Sequence, residues 1–330
     1  MDHDAERSRS GRTARGLSLL RVMRTIRAFD EAAGAAWHAG KARGSVHEYI
    51  GQEAIATGVC ANLRRDDYVS SYHRGHGHAI AKGADPVAMM LELYGREGGT
   101  CGGKGGSMHI ADFGVGMLGA NGVVGDGVTI AVGAAKAVQL LGQDKVVVAF
   151  FGDGAINRGP VLEALNWAQV YRLPILFCCE DNRYSATTLT SAVTAGLAQD
   201  RARAVGMPVE EVDGNDVFAV DAKAGALVRA VRAGSGPIFL HATTYRWRGH
   251  FAPDKGVYRD PDEHARLMAD DCVARCEVAL AAEGVGAEDL DALRRGIEDE
   301  MAEALERAEA APYPSAAAAF ADVQDAGAPA

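Results

Sequence analysis

Two short apolar runs constrain the fold of this chain more than any other feature. KVVVAFF at 145–151 and PILFCC at 174–179 are rich in β-branched and aromatic residues, and turn-forming residues bound each of them. Strands that are apolar at every position are typically buried on both faces, as in a parallel sheet. With a helix predicted over 160–171 between them, the two runs predict a βαβ unit with a right-handed crossover.

A polar cluster follows each of these strands. Gly-Asp-Gly follows the first strand and Glu-Asp-Asn follows the second. Parallel strands end at the same edge of a sheet, where open α/β sheets bind ligands, so we expect Asp153 and Asn182 to be neighbours. A carboxylate and an amide oxygen are ligands that suit Mg²⁺. The sequence therefore indicates an oxygen-rich cation site at this edge.

The glycines around Asp153 indicate a phosphate close by. Gly152 and Gly154 let the backbone approach a ligand closely, and a helix that starts near 159–160 offers its amide end to an anion. Gly-Asp-Gly is also common turn chemistry between a strand and a helix, and the tripeptide alone does not separate the two interpretations. The position of Asn182 after a second strand favours ligand binding.

The remaining elements predict an α/β fold with a mostly parallel sheet flanked by helices. Residues 17–40 repeat apolar positions at helical spacing, and Asp85 followed by Pro86 predicts the start of another helix. The other predicted elements are a helix that opens near Gln52, a short strand with a His- and Gly-rich loop at 67–83, a Gly-rich loop region at 95–127, a buried helix at 128–142, a strand at 236–245 and acidic helices at 262–310.

We expect one domain with a tail at each end. Residues 1–16 mix arginines with acidic residues and carry no apolar pattern, which predicts a disordered tail. Residues 17–310 are expected to form the ligand-binding domain with a helical C-terminal part. Residues 311–330 form an Ala/Pro-rich tail.

The composition excludes several classes of protein. A net charge of −10 argues against a nucleic-acid binder, whose domains are usually basic. The chain has no apolar stretch of about 18 residues, so no membrane span is expected. The six cysteines lack zinc-site spacing, and free buried thiols are typical of a reducing compartment. We therefore expect a cytoplasmic protein.

Two other glycine patterns do not predict nucleotide binding. GGTCGGKGG nearly matches a phosphate-binding loop, but Gly105 follows Lys104 where a Ser or Thr would hold the metal. No complete G-x-G-x-x-G motif follows a predicted strand. A nucleoside triphosphatase and a nicotinamide-binding domain are therefore not expected.

Longer segments resemble a known enzyme family. The segments are MHIADFGVGMLGANG, GDGAINRGPVLEALN, DGNDVFAV and TYRWRGHFAPDKGVYR. Together they resemble the α chains of thiamin diphosphate-dependent 2-oxo acid and acetoin dehydrogenases, and they are most like the acetoin dehydrogenase α chains. They keep the family's order from about residue 17 to residue 310. The resemblance implies the thiamin diphosphate-binding fold, with thiamin diphosphate and Mg²⁺ as cofactors.

The resemblance also implies the roles of individual residues. Asp153 and Asn182 would bind the metal through their side chains, and Tyr184 through its backbone carbonyl. His250 would be the active-site histidine, with His76 and His109 as second candidates. The implied cofactor-binding residues are His73, Arg74, Gly122, Val124, Gly152, Asp153, Gly154, Ala155, Asn182 and Tyr184.

The implied activity is cleavage of a C–C bond next to a carbonyl, in acetoin or in a 2-oxo acid such as pyruvate. The acyl or acetaldehyde unit would then be passed on by a dehydrogenase complex. The family's activating Glu resides on a separate β chain, so the resemblance implies a heterotetramer of two α and two β chains and a lipoyl acyltransferase as a further partner. A non-oxidative thiamin-dependent transferase or carboligase is the alternative.

Several residues depart from the family or stay outside its motifs. Asp126, Arg158 and Asp181 replace residues that are common in relatives, and His73 stands where many relatives have Tyr. His47 and His78 are predicted to be structural hydrogen-bonding residues. Arg246 and Arg248 lie in a matched loop, and a substrate or cofactor role and ordinary surface charge are both open for them.

Overall fold

A computed structural model describes the backbone of residues 2–321 and the side chains of residues 11–321. Its main sheet has six strands in the order β2-β1-β3-β4-β8-β7, and every neighbouring pair is parallel. A small antiparallel hairpin, β5–β6, stands apart from this sheet. In chain order the strands are β1 Tyr68–Ser70, β2 Met117–Gly119, β3 Val147–Gly152, β4 Ile175–Asp181, β5 Tyr184–Ser185, β6 Thr188–Leu189, β7 Val209–Asp213 and β8 Ile238–Thr243.

Helices cover both faces of the sheet. Short 3₁₀ turns occupy part of the Gly-rich region and the segment directly after β3. The α-helices are α1 Asp2–His38, α2 Glu53–Cys60, α3 His76–Lys82, α4 Pro86–Leu93, α5 Asp126–Leu140, α6 Gly159–Tyr171, α7 Thr190–Val193, α8 Ala198–Ala204, α9 Val217–Arg232, α10 Pro261–Met268, α11 Cys272–Ala282 and α12 Ala287–Ala310.

The predicted βαβ unit is confirmed. β3 and β4 pair in parallel from Val147 opposite Ile175 to Gly152 opposite Glu180, and α6 connects them. Alternate residues of β3 point to opposite cores. Phe150 packs in the core with α1, α2, α3, α4 and α9, whereas Phe151 packs in the core with α5, α6 and α8. This burial on both faces explains why the strand is apolar at every position.

The structure extends the first helix beyond the predicted start. Residues 1–16 were expected to be a disordered tail, but α1 begins at Asp2. The end of this segment contacts the body of the protein, because the Arg15 guanidinium pairs with Asp221 and Gly16 lies close to Leu280. Tertiary contacts of this kind leave no local apolar pattern, so the sequence did not reveal them.

Four other features also differ from the sequence-based expectation. The His- and Gly-rich segment after β1 contains the helix α3 rather than only a loop, and β7 was not predicted. The helix predicted as buried is α5, which buries only one face and exposes Ile130 and Leu140. Residues 316–320 of the predicted C-terminal tail form a 3₁₀ turn, and 322–330 lie outside the described residues.

The N-terminus of α4 follows its sequence signature. Asp85 caps the helix, because its side chain accepts a hydrogen bond from the backbone N–H of Val87, and Pro86 occupies the first turn. Met89 and Met90 are fully buried in the core. No helix in the described part of the chain combines the length and the apolar character that crossing a bilayer requires.

Candidate active site

The site lies at the edge of the sheet where four parallel strands end. β1, β3, β4 and β8 all end there, and the segment that follows each strand contributes to one cavity of about 130 Å³. This is the carboxyl edge at which open α/β sheets bind ligands. The sequence-predicted residues that line the cavity are His73, Arg74, Val124, Gly152, Asp153, Gly154, Ala155, Asn182, Tyr184 and His250.

Asp153 is a buried carboxylate without a cationic partner. Its side chain is 1% exposed and accepts a hydrogen bond from the hydroxyl of Thr190. Burial, followed by the negative charge of Asp181, raises the pKa of Asp153 to about 7. No ion pair among the described residues includes it. A cation bound next to a carboxylate in this position would stabilise its charged form.

Asn182 and Tyr184 are fixed beside it by a tight loop. The Asn182 Nδ2 donates to Gln52 Oε1 at 3.1 Å, and its Oδ1 accepts from the backbone N–H of Tyr184 at 3.2 Å. Arg183 and Ala186 adopt positive φ angles of 72° and 53°. Residues other than glycine seldom adopt this conformation, which concentrates at functional sites.

Gly154 permits the close approach of this loop to the turn after β3. A Cβ atom at Gly154 would lie 2.4 Å from the hydroxyl oxygen of Ser185. A side chain there would therefore push the 184–186 segment away from Asp153. Ala155 follows in the same 3₁₀ turn and is buried at the cavity wall.

Arg74 is a fully buried guanidinium that has no carboxylate partner in the described part of the chain. Its Nη1 donates to the carbonyl of Glu48 at 2.7 Å, and its Nη2 donates to the carbonyl of His250 at 2.6 Å. Burial, together with the positive charge of Arg246, lowers the pKa of Arg74 to about 9. Backbone carbonyls orient the group but do not neutralise it, so its charge is available to an anion in the cavity.

Arg246 adds a second buried guanidinium to the cavity wall. It is 1% exposed, and its Nη2 donates to the carbonyl of Ala186 and to the hydroxyl of Tyr258, both at 2.9 Å. Burial lowers its pKa as well. Of the two roles left open by the sequence, its position favours ligand binding, whereas Arg248 is exposed and does not line this cavity.

His250 is held as a neutral imidazole. Burial and the charges of Arg74 and Arg246 lower its pKa to about 4. The Nη2 of Arg74 lies 3.2 Å from His250 Nδ1, which makes Nδ1 the acceptor and leaves the proton on Nε2. The backbone N–H of His250 donates to Asp254 at 2.6 Å, so both its main chain and its ring are fixed.

His250 belongs to a histidine cluster with His47 and His73. Their ring centroids lie 4.9 to 5.2 Å apart. Burial lowers the pKa of His47 to about 3 and the pKa of His73 well below its usual value, and Arg74 adds to both effects. His47 Nδ1 is buried and has no partner of good hydrogen-bond geometry among the described residues, so the structural hydrogen-bonding role expected of His47 stays a prediction.

His76 does not reach the cavity, contrary to its place among the predicted catalytic residues. It is fully buried, and its Nδ1 pairs with Asp30 at 2.6 Å while its Nε2 contacts the hydroxyl of Ser107 at 2.9 Å. Both ring nitrogens are therefore used within the protein. The residue anchors the start of α3 to α1. The sequence motif alone does not distinguish this structural role from a role in the active site.

His109 and Gly122 lie together outside the cavity wall. His109 is exposed, and its Nδ1 contacts the carbonyl of Gly105 at 3.1 Å. A Cβ atom at Gly122 would lie 3.5 Å from His109 Nε2. The structure therefore brings these two predicted residues to each other but not to Asp153.

The buried carboxylate of Glu180 lies behind the cavity wall, and the sequence alone assigned it no role. Glu180 accepts hydrogen bonds from the hydroxyls of Tyr49 and Tyr72, and it lies 3.1 Å from His78 Nε2. The Nδ1 of His78 contacts the hydroxyl of Ser71, so the structural role predicted for His78 is confirmed. The polar triplet after the second strand was the only sequence signal for Glu180.

The donor set fits the groups that the sequence indicated. Asp153, Asn182 and the Tyr184 carbonyl offer oxygen ligands of the type that Mg²⁺ prefers. Arg74 and Arg246 offer two unneutralised guanidinium groups, which suit a diphosphate. A bound cation would compensate the negative charge of Asp153, and a bound diphosphate would compensate the positive charges of the two arginines. Without such partners, burying these charges costs free energy.

Comparison with known proteins identifies the family. Residues 21–317 match the family described as dehydrogenase E1 component. The chain belongs to the dehydrogenase E1 component family. It is therefore a subunit of an enzyme, and the family implies thiamin diphosphate as the cofactor.

Three relatives match almost the whole chain. The α subunit of the acetoin:2,6-dichlorophenolindophenol oxidoreductase of Cupriavidus necator is 44% identical over 90% of this chain and 90% of its own length. The α subunit of the same name from Bacillus subtilis is 40% identical over 94% and 93%. The pyruvate dehydrogenase E1 component subunit α of Rhizobium meliloti is 37% identical over 93% and 89%. Because the relatives are α subunits, a second, different subunit is implied.

Proposed function

We propose that this chain is the α subunit of an acetoin-cleaving, thiamin diphosphate- and Mg²⁺-dependent E1 enzyme. One observation carries the proposal: a buried carboxylate and two buried guanidinium groups, none of which forms an ion pair with another described residue, face one cavity. The name of the two acetoin-oxidising relatives supports acetoin as the substrate, and pyruvate is the substrate to test beside it.

The cofactor residues divide by charge. Asp153, Asn182 and the carbonyl of Tyr184 would bind Mg²⁺, while Arg74 and Arg246 would bind the diphosphate. Gly152, Gly154 and Ala155 keep the turn after β3 narrow enough for the phosphates to approach. When bound, thiamin diphosphate supplies the nucleophilic carbon that allows the bond next to a ketone carbonyl to be cleaved.

His250 would supply the proton transfers. Its low pKa keeps the ring neutral at physiological pH, and its Nε2–H is available to donate to the oxygen of the reacting carbonyl. Arg74 holds Nδ1, so the ring cannot turn without losing this contact. His73 would lie next to His250 and Arg74 at the same wall of the cavity.

The site needs a second chain. The cavity of about 130 Å³ is smaller than the roughly 300–1,000 Å³ of typical small-molecule sites. Val124 is 40% exposed at its rim, and α5 and α6 expose apolar side chains further along their length, including Leu140, Trp167 and Val170. We propose that the β subunit, which carries the activating Glu, packs on this face and closes the site.

The assembly would contain two α and two β chains, and a lipoyl acyltransferase would accept the acyl unit. Gly122 and His109, which lie outside the present cavity wall, would face the part of the site that the β subunit completes. A cytoplasmic location is supported by six free cysteines, five of which are buried.

Activity of the reconstituted α–β complex tests the proposal. With thiamin diphosphate, Mg²⁺ and acetoin, the complex should reduce 2,6-dichlorophenolindophenol, and it should do so faster than with pyruvate. The α chain without its partner should show no turnover. Cleavage of acetoin without dye reduction would support the non-oxidative alternative, and no reaction with either substrate would contradict the proposal.

A further inference from the structure

We propose that a buried network of three side chains positions residues 47–49, and through them Arg74, for cofactor binding. The three side chains of this buried network are Asp30, His76 and Ser107. The inference rests on the proposed function, because it names positioning residues for the same site. They come from α1, from the start of α3 and from the 3₁₀ turn that follows the Gly-rich segment, and none of them lines the cavity.

The hydrogen bonds of the buried network have one consistent direction. Asp30 Oδ1 lies 2.6 Å from His76 Nδ1, and an ionised carboxylate can only accept, so Nδ1 donates. In the neutral ring Nε2 then accepts, and its partner is the Ser107 hydroxyl at 2.9 Å. The Ser107 oxygen is left to accept from the backbone N–H of His47 at 3.3 Å. The three residues of the network are at most 2% exposed, so water does not compete for these contacts.

The segment 47–49 depends on side chains for its backbone hydrogen bonds. It belongs to neither a helix nor a strand, so its backbone groups have no partners in regular structure. Asp30 Oδ2 accepts from the backbone N–H of Tyr49 at 2.6 Å, and the Glu48 carbonyl accepts from Arg74 at 2.7 Å. The buried network therefore holds the segment on both sides of the carbonyl that orients Arg74.

The Gly-rich segment before Ser107 is itself fixed by a buried carboxylate. Glu92 of α4 is 1% exposed, and its side chain accepts four hydrogen bonds from this segment. The donors are the backbone N–H groups of Cys101, Gly103, Gly105 and Gly106, at 2.6 to 3.1 Å. Gly106 has a φ of 65°, which glycine tolerates. An internal carboxylate thus uses the amide groups that a phosphate would need, and the segment serves to place Ser107.

A purely structural role is the competing explanation. The contact between His76 and Asp30 ties α3 to α1, so its loss would lower the melting temperature under either explanation. A structural role alone would leave the folded complex with its normal affinity for the cofactor. A positioning role would weaken cofactor binding by a complex that is fully folded. The two explanations therefore differ in an affinity that is measured well below the melting temperature.

Calorimetric titration of thiamin diphosphate into the α–β complex with Mg²⁺ separates these explanations without turnover. Ser107→Ala removes the hydroxyl and should weaken cofactor binding by roughly twofold to tenfold, the range that one net hydrogen bond spans. Ser70→Ala is the matched control, because Ser70 is also buried and its hydroxyl donates to the Gly127 carbonyl at 2.7 Å. The control loses one buried hydrogen bond away from residues 47–49, so its melting temperature should fall while its cofactor affinity is retained.

His76→Asn is a second variant that does not depend on the folding of Ser107→Ala. An Asn side chain can still donate to Asp30 but is too short to reach Ser107. It should weaken cofactor binding by a similar factor, and the double variant should bind no more weakly than either single variant, because both changes break the same network. Unchanged affinity in both single variants, or an equal loss in Ser70→Ala, would overturn the inference while the proposed function stands. Failure of the unmodified complex to bind thiamin diphosphate with Mg²⁺ would instead overturn the proposed function.

Discussion

The half-buried and buried arginines of this chain differ in their partners. Arg27 is paired with Glu53 and Asp271, and these carboxylates outweigh burial and raise its pKa. Arg74 is more deeply buried, but among the described residues it hydrogen-bonds to backbone carbonyls and to a neutral His without a carboxylate, and its pKa is lowered. A buried charge without a counter-charge is costly, so Arg74 indicates a site that an anion completes.

Arg74→Ala should therefore weaken thiamin diphosphate binding more than it disturbs the fold. Hydrogen bonds to charged groups contribute about 1.5–3 kcal/mol, which corresponds to a loss of roughly tenfold to a hundredfold in affinity. Calorimetric titration of the α–β complex measures this loss. Arg65→Ala, at an exposed position before β1, is the control and should bind normally. Equal affinities in both variants would refute the role of Arg74.

His250→Ala should separate catalysis from cofactor binding. Its backbone carbonyl, which orients Arg74, is retained in the variant, so the cofactor affinity should change little. Turnover should fall by about 10²-fold or more, the usual effect of removing an acid–base group. Steady-state kinetics with acetoin, with exposed His38→Ala as the control, provide the measurement. Turnover within a few-fold of the unmodified enzyme would exclude this role for His250.

Because the histidine cluster is held neutral in the folded state, we expect the protein to take up protons when it unfolds at acidic pH. His73 has a pKa below the ordinary value of about 6.5, so near pH 5.5 it is neutral when folded and mostly protonated when unfolded. It therefore stabilises the folded state less as the pH falls below about 6.5. The His73→Tyr variant lacks this imidazole. Its unfolding at pH 5.5 should therefore take up close to one proton fewer per α chain.

Potentiometric measurement of the protons bound when urea unfolds the α–β complex at pH 5.5 tests this expectation. The raised pKa values of Asp153 and Glu48 contribute with the opposite sign, but they contribute in both proteins and cancel in the difference. Equal proton uptake by the variant and the unmodified complex would show that His73 is not held neutral.

At the scale of elements, the sequence predicted what depends on local pattern. β3, α6 and β4 were predicted within about two residues, because apolar runs and turn residues mark them. Asp153 and Asn182 were brought together by the same reasoning, since each follows a strand. α3 was missed because its His- and Gly-rich sequence has low helix propensity, and its contacts with α1 and α2 stabilise it.

Other site residues depend on contacts that the sequence does not show. His47 lies in a segment between α1 and α2 and meets His250 only through the fold. The resemblance implied a cofactor role for Arg74 and left the role of Arg246 open, but the burial of both groups and their lack of carboxylate partners among the described residues come only from the fold. Conversely, His76 matched a motif, but both of its ring nitrogens already contact Asp30 and Ser107. Both partners are distant from His76 in the sequence.

The exposed apolar face of α5 and α6 is expected to be an interface. Trp167 is 53% exposed and Val170 66% exposed on one side of α6. Trp167→Glu should prevent assembly with the β subunit without unfolding the α chain, because a charge in the centre of an interface is left without water or a partner. Val278→Glu, on α11, is the control, since Val278 is 70% exposed on a different helix.

Analytical ultracentrifugation of each variant mixed with the β chain measures this effect. The Trp167 variant should sediment as separate chains, and the Val278 variant should sediment as the full assembly. Circular dichroism of both variants should match that of the unmodified chain. Normal assembly of the Trp167 variant would place the interface elsewhere.

At the scale of the whole molecule, one sheet edge collects charges from distant parts of the chain. The ends of β1, β3, β4 and β8 bring Arg74, Asp153, Asn182 and Arg246 to one cavity. Arg74 and Arg246 are positively charged and Asp153 is negatively charged, but these groups form no ion pairs among the described residues of the cavity. A metal–diphosphate pair satisfies both sets at once, and this is the central claim about the function of the fold.

Calorimetric titration of thiamin diphosphate into the α–β complex tests that claim most directly. With Mg²⁺ present the unmodified complex should bind the cofactor, and it should bind much more weakly when the metal is chelated. Asp153→Ala should abolish the metal-dependent binding, because it removes the carboxylate ligand of the site, while Asp66→Ala should bind as the unmodified complex does. Unchanged affinity of the Asp153→Ala complex would contradict the account.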